Sequence, residues 1–353
     1  MKIALITDTH WGVRGDIIAF HDYFKRSLDE FFFPELRKRG IKNIIHLGDV
    51  VDRRKYVNFM TAHRLRKDFL EPINNEFKMD IIVGNHDTYY KNTNSINALD
   101  ELVNGKYENI EIYTEAETVL YDDVPILFIP WITDENRENT LYNIKATDAQ
   151  IAMGHLELTG FEMYKGHVND HGMDHNLLSR FDVVCSGHYH HKSSNGSINY
   201  LGAFAEHIWS DFDDPRGFHI FDTDTRELEF IQNPFSIFKK IWYDDMNKNM
   251  DEVLLHDVQT KDCIVKVIVK NKTNPYWFDL FIDAIENTTP IELQVVEDHL
   301  HLDIEDDSDI INEAEDTISI FRNYIEQMNL DGGKKDKLNK TIMELYQEAM
   351  QIQ

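Results

Sequence analysis

Five short apolar segments of the chain each run into residues that can bind a metal ion. These residues are aspartates, histidines and an asparagine, and each follows or ends a run of aliphatic side chains. In chain order they are Asp8 and His10, Asp49, Asn85 with His86 and Asp87, His155, and His188 with His190. In an open α/β sheet, catalytic groups lie at the carboxyl ends of the strands. A metal site is the most economical explanation of the whole set.

The chemistry that such a site could perform is hydrolysis of a phosphate ester. Two divalent ions about 3.5–4 Å apart neutralise the phosphate and bring the pKa of bound water toward about 7. Two ions so close together need a shared carboxylate, and Asp49, in the central segment, is the natural bridge. Mixed imidazole, carboxylate and amide ligands favour manganese, iron or zinc over calcium or magnesium. We therefore expect two divalent metal ions.

The segment Asn85-His86-Asp87 predicts different roles for its three neighbours. Asn85 can bind an ion, which leaves the His86 imidazole to face the substrate as a general acid. Asp87 could then fix the tautomer of His86 and raise its basicity. His86 and Asp87 are therefore the predicted catalytic residues.

Three adjacent basic residues, Arg53, Arg54 and Lys55, follow the central motif. Beside a phosphate site they could bind a DNA backbone, whereas the alternative is a solvated turn. The preceding residue, Asp52, is either a partner of the metal ligands or an acid that caps the turn. His46 lies inside the strand, before Leu47, and we expect it to be a packed core histidine.

The elements that must position these residues alternate between strand and helix in the first part of the chain. Such alternation produces crossovers and a mainly parallel sheet. Between residues 126 and 231 strands dominate, and the last two, near 218–221 and 228–231, have the pattern of a hairpin. Strands in this number without helices indicate a second sheet packed on the first. The predicted fold is α/β, a four-layer α-β-β-α sandwich.

The sequence pattern changes at Pro234. An alternating strand at 263–270, a helical face at 278–285 and a strand at 291–296 predict a small β-α-β capping domain. Residues 297–316 contain ten Asp or Glu and no Lys or Arg, as expected of a linker. Two amphipathic stretches separated by Asp331-Gly332-Gly333 then predict a C-terminal helical hairpin. The predicted domains are 1–233 (catalytic sandwich), 234–300 (capping) and 301–353 (acidic linker and helical tail).

The bulk composition narrows the class of protein. No apolar run approaches the roughly 18 residues of a membrane span, and a strand beginning at Lys2 leaves no room for a signal peptide. With only Cys185 and Cys263, neither a disulfide framework nor a thiolate metal site is available, so a cytoplasmic protein is expected. The net charge of −27 argues against nucleic acid as a partner, but many of the acids lie in the linker.

Taken together and in order, the motifs resemble those of the calcineurin-like metallophosphoesterases. The matching residues are Asp8-x-His10, Gly48-Asp49-x-x-Asp52-Arg53, Gly84-Asn85-His86-Asp87, Gly154-His155 and Gly187-His188-x-His190. The chain is most similar to the SbcD-type nucleases of DNA double-strand-break repair, and among these to the recombination nuclease subunits of tailed phages. That likeness includes Ile129-Pro130-Trp131, Gly160–Gly166 and Asp214-Pro215-Arg216-Gly217, and covers residues 1–233.

The resemblance implies two ligand sets, a substrate and partners. One ion would be held by Asp8, His10, Asp49 and His190, and the other by Asp49, Asn85, His155 and His188, with His86 in the catalytic position. The implied activity is manganese-dependent exonuclease and endonuclease action on DNA ends and single strands. The implied partners are an SbcC-type coiled-coil ATPase, bound through the C-terminal helices, and a second copy of the chain, through helices near 57–76 and 95–103. A phage-encoded member would work in the host cytoplasm.

Two other functions are open to a chain of this fold. A phosphoprotein phosphatase has the same chemistry, but those enzymes have Gly after the Asp-Arg pair and Glu after Gly-Asn-His, where this chain has Arg54 and Asp87. A binding scaffold on an inactive fold would have lost ligands, and none is missing here. Many SbcD-type nucleases have His at the position of Asp52, so a substrate contact there stays open.

Overall fold

The computed structural model describes residues 1–164, 167–254 and 259–297, together with Ile325, Lys335, Lys337 and Leu338. The first seven strands are β1 (Lys2–Ile6), β2 (Asn43–His46), β3 (Lys78–Ile82), β4 (Ile110–Tyr113), β5 (Glu117–Tyr121), β6 (Val124–Ile129) and β7 (Ile151–His155). The next five are β8 (Glu162–Tyr164), β9 (His167–Val168), β10 (Val183–Gly187), β11 (Ser193–Asn195) and β12 (Ile198–Tyr200). The last five are β13 (Gly217–Asp222), β14 (Leu228–Gln232), β15 (Phe238–Asp244), β16 (Ile264–Asn271) and β17 (Glu292–Val296).

The described helices are mostly short. They are α1 (Val13–Asp16), α2 (Ile18–Ser27), α3 (Phe33–Arg39), α4 (Phe59–Arg64), α5 (Glu71–Glu76), α6 (Ala98–Leu102), α7 (Arg137–Ala146), α8 (Met250–Val253) and α9 (Pro275–Glu286). A π-helical turn at Leu28–Phe32 joins α2 to α3, and another at Leu65–Leu70 joins α4 to α5. Pro34 therefore does not break the first long helix, because it lies in the first turn after the π turn, where its missing N–H is tolerated.

Two six-stranded sheets form the centre of the molecule. The first has the order β14-β13-β1-β2-β3-β4, in which β1 to β4 are parallel and β13 runs antiparallel to β1. The second has the order β11-β12-β10-β7-β6-β5, with a parallel centre and antiparallel edges. The predicted hairpin is β13 and β14.

Three hydrophobic clusters show how the two sheets and the helices are stacked in layers. Side chains of both sheets meet in one cluster, which includes Leu5 and Ile45 from the first sheet and Phe128 and Met153 from the second. The opposite face of the first sheet packs against the helices from 18 to 39 and from 59 to 76. The opposite face of the second sheet packs against α7 and the loops around it. The predicted α-β-β-α sandwich is confirmed.

Residues 238–296 form a separate three-stranded parallel sheet, β15-β16-β17, with its own hydrophobic cluster under α9. Asn274 caps α9 by accepting hydrogen bonds from the backbone N–H groups of Tyr276 and Trp277. Lys266, which the alternation puts on the polar face of β16, is only 2% exposed, and its ammonium lies 4.4 Å from the centre of the Trp209 ring. That face therefore packs on the sandwich.

The predicted helical hairpin and its acidic linker lie almost wholly outside the described residues. Ile325, Lys335, Lys337 and Leu338 are the exceptions, and all four are helical. The boundaries predicted at residues 233 and 300 remain predictions. Among the described helices, none has the length and apolar character needed to cross a membrane.

Candidate metal centre

The predicted ligands come together where the carboxyl ends of the two sheets face each other. Asp8, Asp49 and Asn85 follow β1, β2 and β3 of the first sheet, while His155 ends β7 and His188 follows β10 of the second. The sheets are joined here by hydrogen bonds. The His188 N–H donates to Asp8, 3.2 Å away, and the His155 ring contacts the Leu47 carbonyl at 2.7 Å.

One group contains Asp8, His10 and His190. The Nε2 atoms of His10 and His190 are 3.1 Å apart, and the Asp8 carboxylate lies 3.8 and 3.9 Å from them. Thr7 holds this carboxylate by donating its hydroxyl to Asp8 Oδ2 at 2.6 Å. These are three of the four residues predicted for the first ion.

A second group contains Asp49, His155 and His188, with Asn85 among them. Asn85 Oδ1 is 2.9 Å from both His155 Nε2 and His188 Nδ1. His155 Nε2 is also 3.2 Å from Asp49 Oδ2. All four residues predicted for the second ion therefore meet within hydrogen-bond range.

Asp49 lies between the two groups. Its Oδ2 is 3.2 Å from His155 Nε2 and 3.8 Å from His10 Nε2, and the residue is 1% exposed. Burial alone would raise the pKa of Asp49, but the neighbouring imidazoles of His155 and His86 hold it well below its usual range. Asp49 therefore presents a carboxylate to both groups, as a bridging ligand must.

The donor atoms fit divalent cations. The Nδ1–H of His155 points to the Leu47 carbonyl, which leaves Nε2 facing the oxygens of Asn85 and Asp49. Burial acts to lower the pKa of His155, but Asp49 raises it to about 9, so a positive charge at Nε2 is favoured. A proton supplies that charge at one atom, whereas a metal ion can be shared by all of these ligand atoms, and the nitrogens of His10 and His190 are crowded in the same way. The mixed nitrogen and oxygen set suits transition metals better than calcium.

The backbone at these strand ends is strained. Asp8, His10, Asp49 and His188 all have positive φ angles, of 52°, 41°, 56° and 86°. Residues other than glycine rarely adopt this region, and such strain concentrates at functional sites. Gly84 is required for a different reason, because a Cβ there would lie 2.2 Å from Asp49 Oδ1.

His86 lies beside the ligands with its ring held by backbone. Its N–H donates to Asp49 Oδ1 at 2.7 Å, and its ring Nδ1 is 2.5 Å from the Asp52 carbonyl oxygen. The Asp52 carboxylate is 3.6 Å from His10 Nδ1. Asp52 thus orients both a ligand and His86, which favours the first of the two roles considered for it.

The predicted contact of Asp87 with the His86 ring is wrong. Both Asp87 carboxylate oxygens instead accept backbone N–H groups, from Gly84, Asp49, Val50 and Val51, at 2.9–3.1 Å. Burial, followed by the charge of Asp49, raises the pKa of Asp87 to about 7. Asp87 holds together the two loops that contain Asp49 and Asn85. The contact with the His86 ring that was expected of Asp87 is made by the Asp52 carbonyl.

The three basic residues after β2 occupy different environments. The Arg53 guanidinium is 2.7 Å from Asp16 and 3.0 Å from the Tyr56 hydroxyl. Arg54 turns inward: its Nη1 is buried and burial lowers its pKa, whereas Asp49 and Asp87 act to raise it. Lys55 is exposed. The remaining histidine of this region, His46, is fully buried beside Thr9, as predicted.

Comparison with known proteins identifies the family. The model of the calcineurin-like phosphoesterase family matches residues 1–192, more than half of the chain. The chain belongs to this family. Exonuclease subunit 1 of Enterobacteria phage T4 is 35% identical over 247 residues, which cover 69% of this chain and 71% of the relative. This phosphoesterase is therefore an enzyme, a metal-dependent phosphodiesterase of nuclease type.

An archaeal phosphodiesterase is among the solved structures that resemble this chain. It is 14% identical to this phosphoesterase, with a TM-score of 0.32 over 66% of this chain and 99% of that one. The family match and the two packed sheets establish the fold.

Two further residues contact the centre: Trp131, which is half-buried and lies in the Ile129-Pro130-Trp131 segment, and His207, which is buried. The Trp131 ring lies 5.1 Å from that of His188, and the His207 ring lies 5.1 Å from that of His10. His207 comes from the irregular segment between β12 and β13, where neither strand periodicity nor a Gly-His pair marks it. No signal in a single sequence would have identified it.

Proposed function

We propose that the protein is a manganese-dependent DNA exonuclease and endonuclease, the nuclease subunit of a complex with an SbcC-type ATPase. One observation supports the proposal most directly. The Asp49 carboxylate lies within 4 Å of ligands from both predicted sets and accepts the N–H of His86. The relative that is named an exonuclease subunit supports both DNA as the substrate and a larger complex. The proposed role is the processing of DNA ends and recombination, and the proposed location is the cytoplasm. The two cysteines are free and buried, which is consistent with a reducing compartment.

The proposed first ion is held by Asp8, His10, Asp49 and His190, and the second by Asp49, Asn85, His155 and His188. When bound, the ions neutralise the phosphate and make a bound water acidic enough to react near neutral pH. His86 gives a proton to the leaving oxygen. Because its Nδ1 is held by the Asp52 carbonyl, its Nε2 is the atom that faces the substrate.

Arg54 and Lys55 are proposed to contact the DNA backbone. The charges of Asp49 and Asp87 act on the Arg54 guanidinium, which is consistent with a position near the candidate metal centre, and Lys55 is exposed to solvent. Arg53 is already paired with Asp16, so its proposed role is to hold the loop. Contacts of this kind are independent of base sequence.

A homodimer is proposed through the region of α4 and α6. Three large apolar side chains are exposed there, with Phe59 95%, Met60 51% and Ile96 48% accessible to solvent. Large apolar side chains with this degree of exposure are candidates for protein–protein contact.

The decisive experiment is a cleavage assay on the purified full chain. Linear double-stranded DNA and circular single-stranded DNA are incubated with manganese, with magnesium, or with a chelator. We expect degradation of the first and nicking of the second with manganese, and neither with the chelator. Rapid hydrolysis of a phosphoserine peptide without DNA cleavage would instead support a phosphoprotein phosphatase, and no hydrolysis of either would support an inactive scaffold.

A further inference from the structure

His207 is a buried histidine whose position has no role in the metal centre as described so far. Its side chain is 0% exposed, and neither ring nitrogen has a hydrogen-bond partner among the described residues. Buried polar groups without any partner are rare in folded proteins and require an explanation, such as a bound water or ion. Both nitrogens of one imidazole are affected here.

The His207 ring forms a triangle with two of the proposed ligands. Its centre is 5.1 Å from that of His10 and 5.2 Å from that of His190, which are 4.9 Å from each other. A ring nitrogen of His207, one of His190 and a carboxylate oxygen of Asp211 all lie within 4.8 Å of one another. Phe24 packs edge-on against His207, at 5.7 Å, and closes one side.

This cluster is held in place from several directions. Asp211 Oδ2 accepts the N–H of His207 at 2.6 Å and that of Ile208 at 3.1 Å. Arg216 donates to Asp211 Oδ1 at 2.5 Å and also to the carbonyl of His190, so one side chain joins both ligand-bearing segments. A carboxylate has about four acceptor positions, and three are used, so Oδ1 keeps one for a cation.

We propose that His190, His207 and Asp211 form an accessory cation subsite next to the candidate metal centre. Two imidazoles and one carboxylate are a ligand set that suits zinc or cobalt, and that binds magnesium and calcium poorly. The subsite is distinct from the proposed pair of ions except for His190, which it shares with the first ion. A cation bound there shares His190 with the first ion without displacing that ion, so excess zinc should slow cleavage while all three ions stay bound. Only this last step, the effect on cleavage, rests on the proposed function.

The test is to count cobalt ions bound to the full chain by equilibrium dialysis and elemental analysis. Wild type should bind one more ion per chain than His207→Gln. The matched control is His219→Gln. His219 on β13 is also buried, and within the described part of the chain its Nδ1 has no hydrogen-bond partner and it belongs to no group of potential ligands. This control should bind as many ions as wild type. Equal counts for wild type and His207→Gln would overturn the proposal.

A second variant keeps the test decisive if His207→Gln does not fold. His207→Cys retains a ligand, and a thiolate bound to cobalt adds a near-ultraviolet charge-transfer band that wild type lacks. A folded His207→Cys protein without that band would contradict the subsite. Asp49→Ala separates this proposal from the two-ion assignment, because it leaves His190, His207 and Asp211 intact and should keep one cobalt ion. Loss of all cobalt from a folded Asp49→Ala protein would also overturn the subsite.

Discussion

At the scale of single residues, Asp49 is the side chain on which both proposed ligand sets depend. Its carboxylate faces His155 on one side and His10 on the other, and its second oxygen receives the His86 N–H. Asp49→Ala should therefore abolish cleavage and remove both manganese ions together. Manganese content by elemental analysis, measured beside a nuclease assay, checks this. A folded variant that retains two manganese ions and near-normal activity would refute the shared-ligand assignment.

His86→Gln is the matched counterpart of that variant. The substitution removes a proton donor from the same loop, but it takes away none of the proposed ligands. We expect the two manganese ions to stay bound while the cleavage rate falls about 10²–10⁴-fold, the usual contribution of a general acid. A parallel fall in manganese content would mean that His86 is itself a ligand.

Of the three basic residues after β2, Lys55 is the exposed one, so its substitution tests DNA contact most directly. Lys55→Ala should weaken binding of all DNA sequences alike and reduce the slope of log affinity against log salt by about 1. The control is Lys78→Ala, since Lys78 is exposed at the opposite end of the same sheet, where β3 begins. Fluorescence anisotropy over a range of salt concentrations measures both. If the two variants have the same slope, Lys55 is only solvated.

At the scale of elements, the loops after β1, β2 and β10 hold their ligands in strained backbone conformations, and the loop after β3 is tied to the loop after β2. Four ligands have positive φ, and Asp87 compensates by accepting four backbone N–H groups from two of these loops. Because the loops are tied to each other, a change in one displaces ligands in the next. This arrangement explains why the site needs rigid sheets beneath it.

The two sheets are also linked on their inner faces by a titratable residue. Asp80 on β3 accepts a hydrogen bond from Tyr121 on β5 of the other sheet, and burial raises its pKa despite that bond. Between the ordinary carboxyl pKa, about 3.9, and the raised value, the folded state therefore keeps a proton that the unfolded state has lost. The contribution of Asp80 to the free energy of unfolding should be greatest below about 3.9 and fall as pH rises through the raised value.

Asp80→Asn removes this proton linkage. The difference in free energy of unfolding between wild type and variant, obtained from urea denaturation at several pH values, should move in favour of the variant as pH rises above about 4. Tyr121 can still donate to the asparagine oxygen, so the link between the sheets is retained. A difference that stays constant with pH would show that Asp80 is not perturbed.

At the scale of the whole molecule, the exposed apolar residues near α4 make the proposed dimer testable. Phe59→Asp should convert a dimer to a monomer without loss of bound manganese, because Phe59 is 95% exposed and contributes nothing to the chain's own core. Leu120→Asp, at a 67% exposed position on β5, is the control and should stay dimeric. Light scattering after size exclusion gives the masses. If the wild-type protein is a monomer, the proposed dimer is wrong.

The C-terminal tail is proposed to bind the ATPase. Truncation after Asp303 should leave manganese-dependent cleavage by the isolated subunit intact, while co-purification with an SbcC-type ATPase is lost. The ten acids between 297 and 316 favour a tail that stays extended from the sandwich. However, Ile325 is only 1% exposed, so part of the tail packs within the chain. A markedly lower melting temperature after truncation would mean that the tail belongs to the protein's own core.

The sequence by itself determined the sandwich, and it predicted the side chains that the structure brings together in the candidate metal centre. Asp8, Asp49, Asn85, His155 and His188 could be assigned because each stands at the end of an apolar strand, and parallel strands bring their carboxyl ends to one edge. That inference needs only local periodicity and a topological rule. It groups the ligands within each sheet, whereas the meeting of the two groups depends on how the sheets pack.

Only the tertiary structure decided which atoms meet around those ligands. Asp87 was expected at the His86 ring because the two are adjacent, yet the ring contacts the Asp52 carbonyl, 34 residues away. His207 approaches His10 and His190 from an irregular segment with no pattern of its own. Contacts between distant residues depend on how loops pack across two sheets, and hydrophobic periodicity contains no information about that packing.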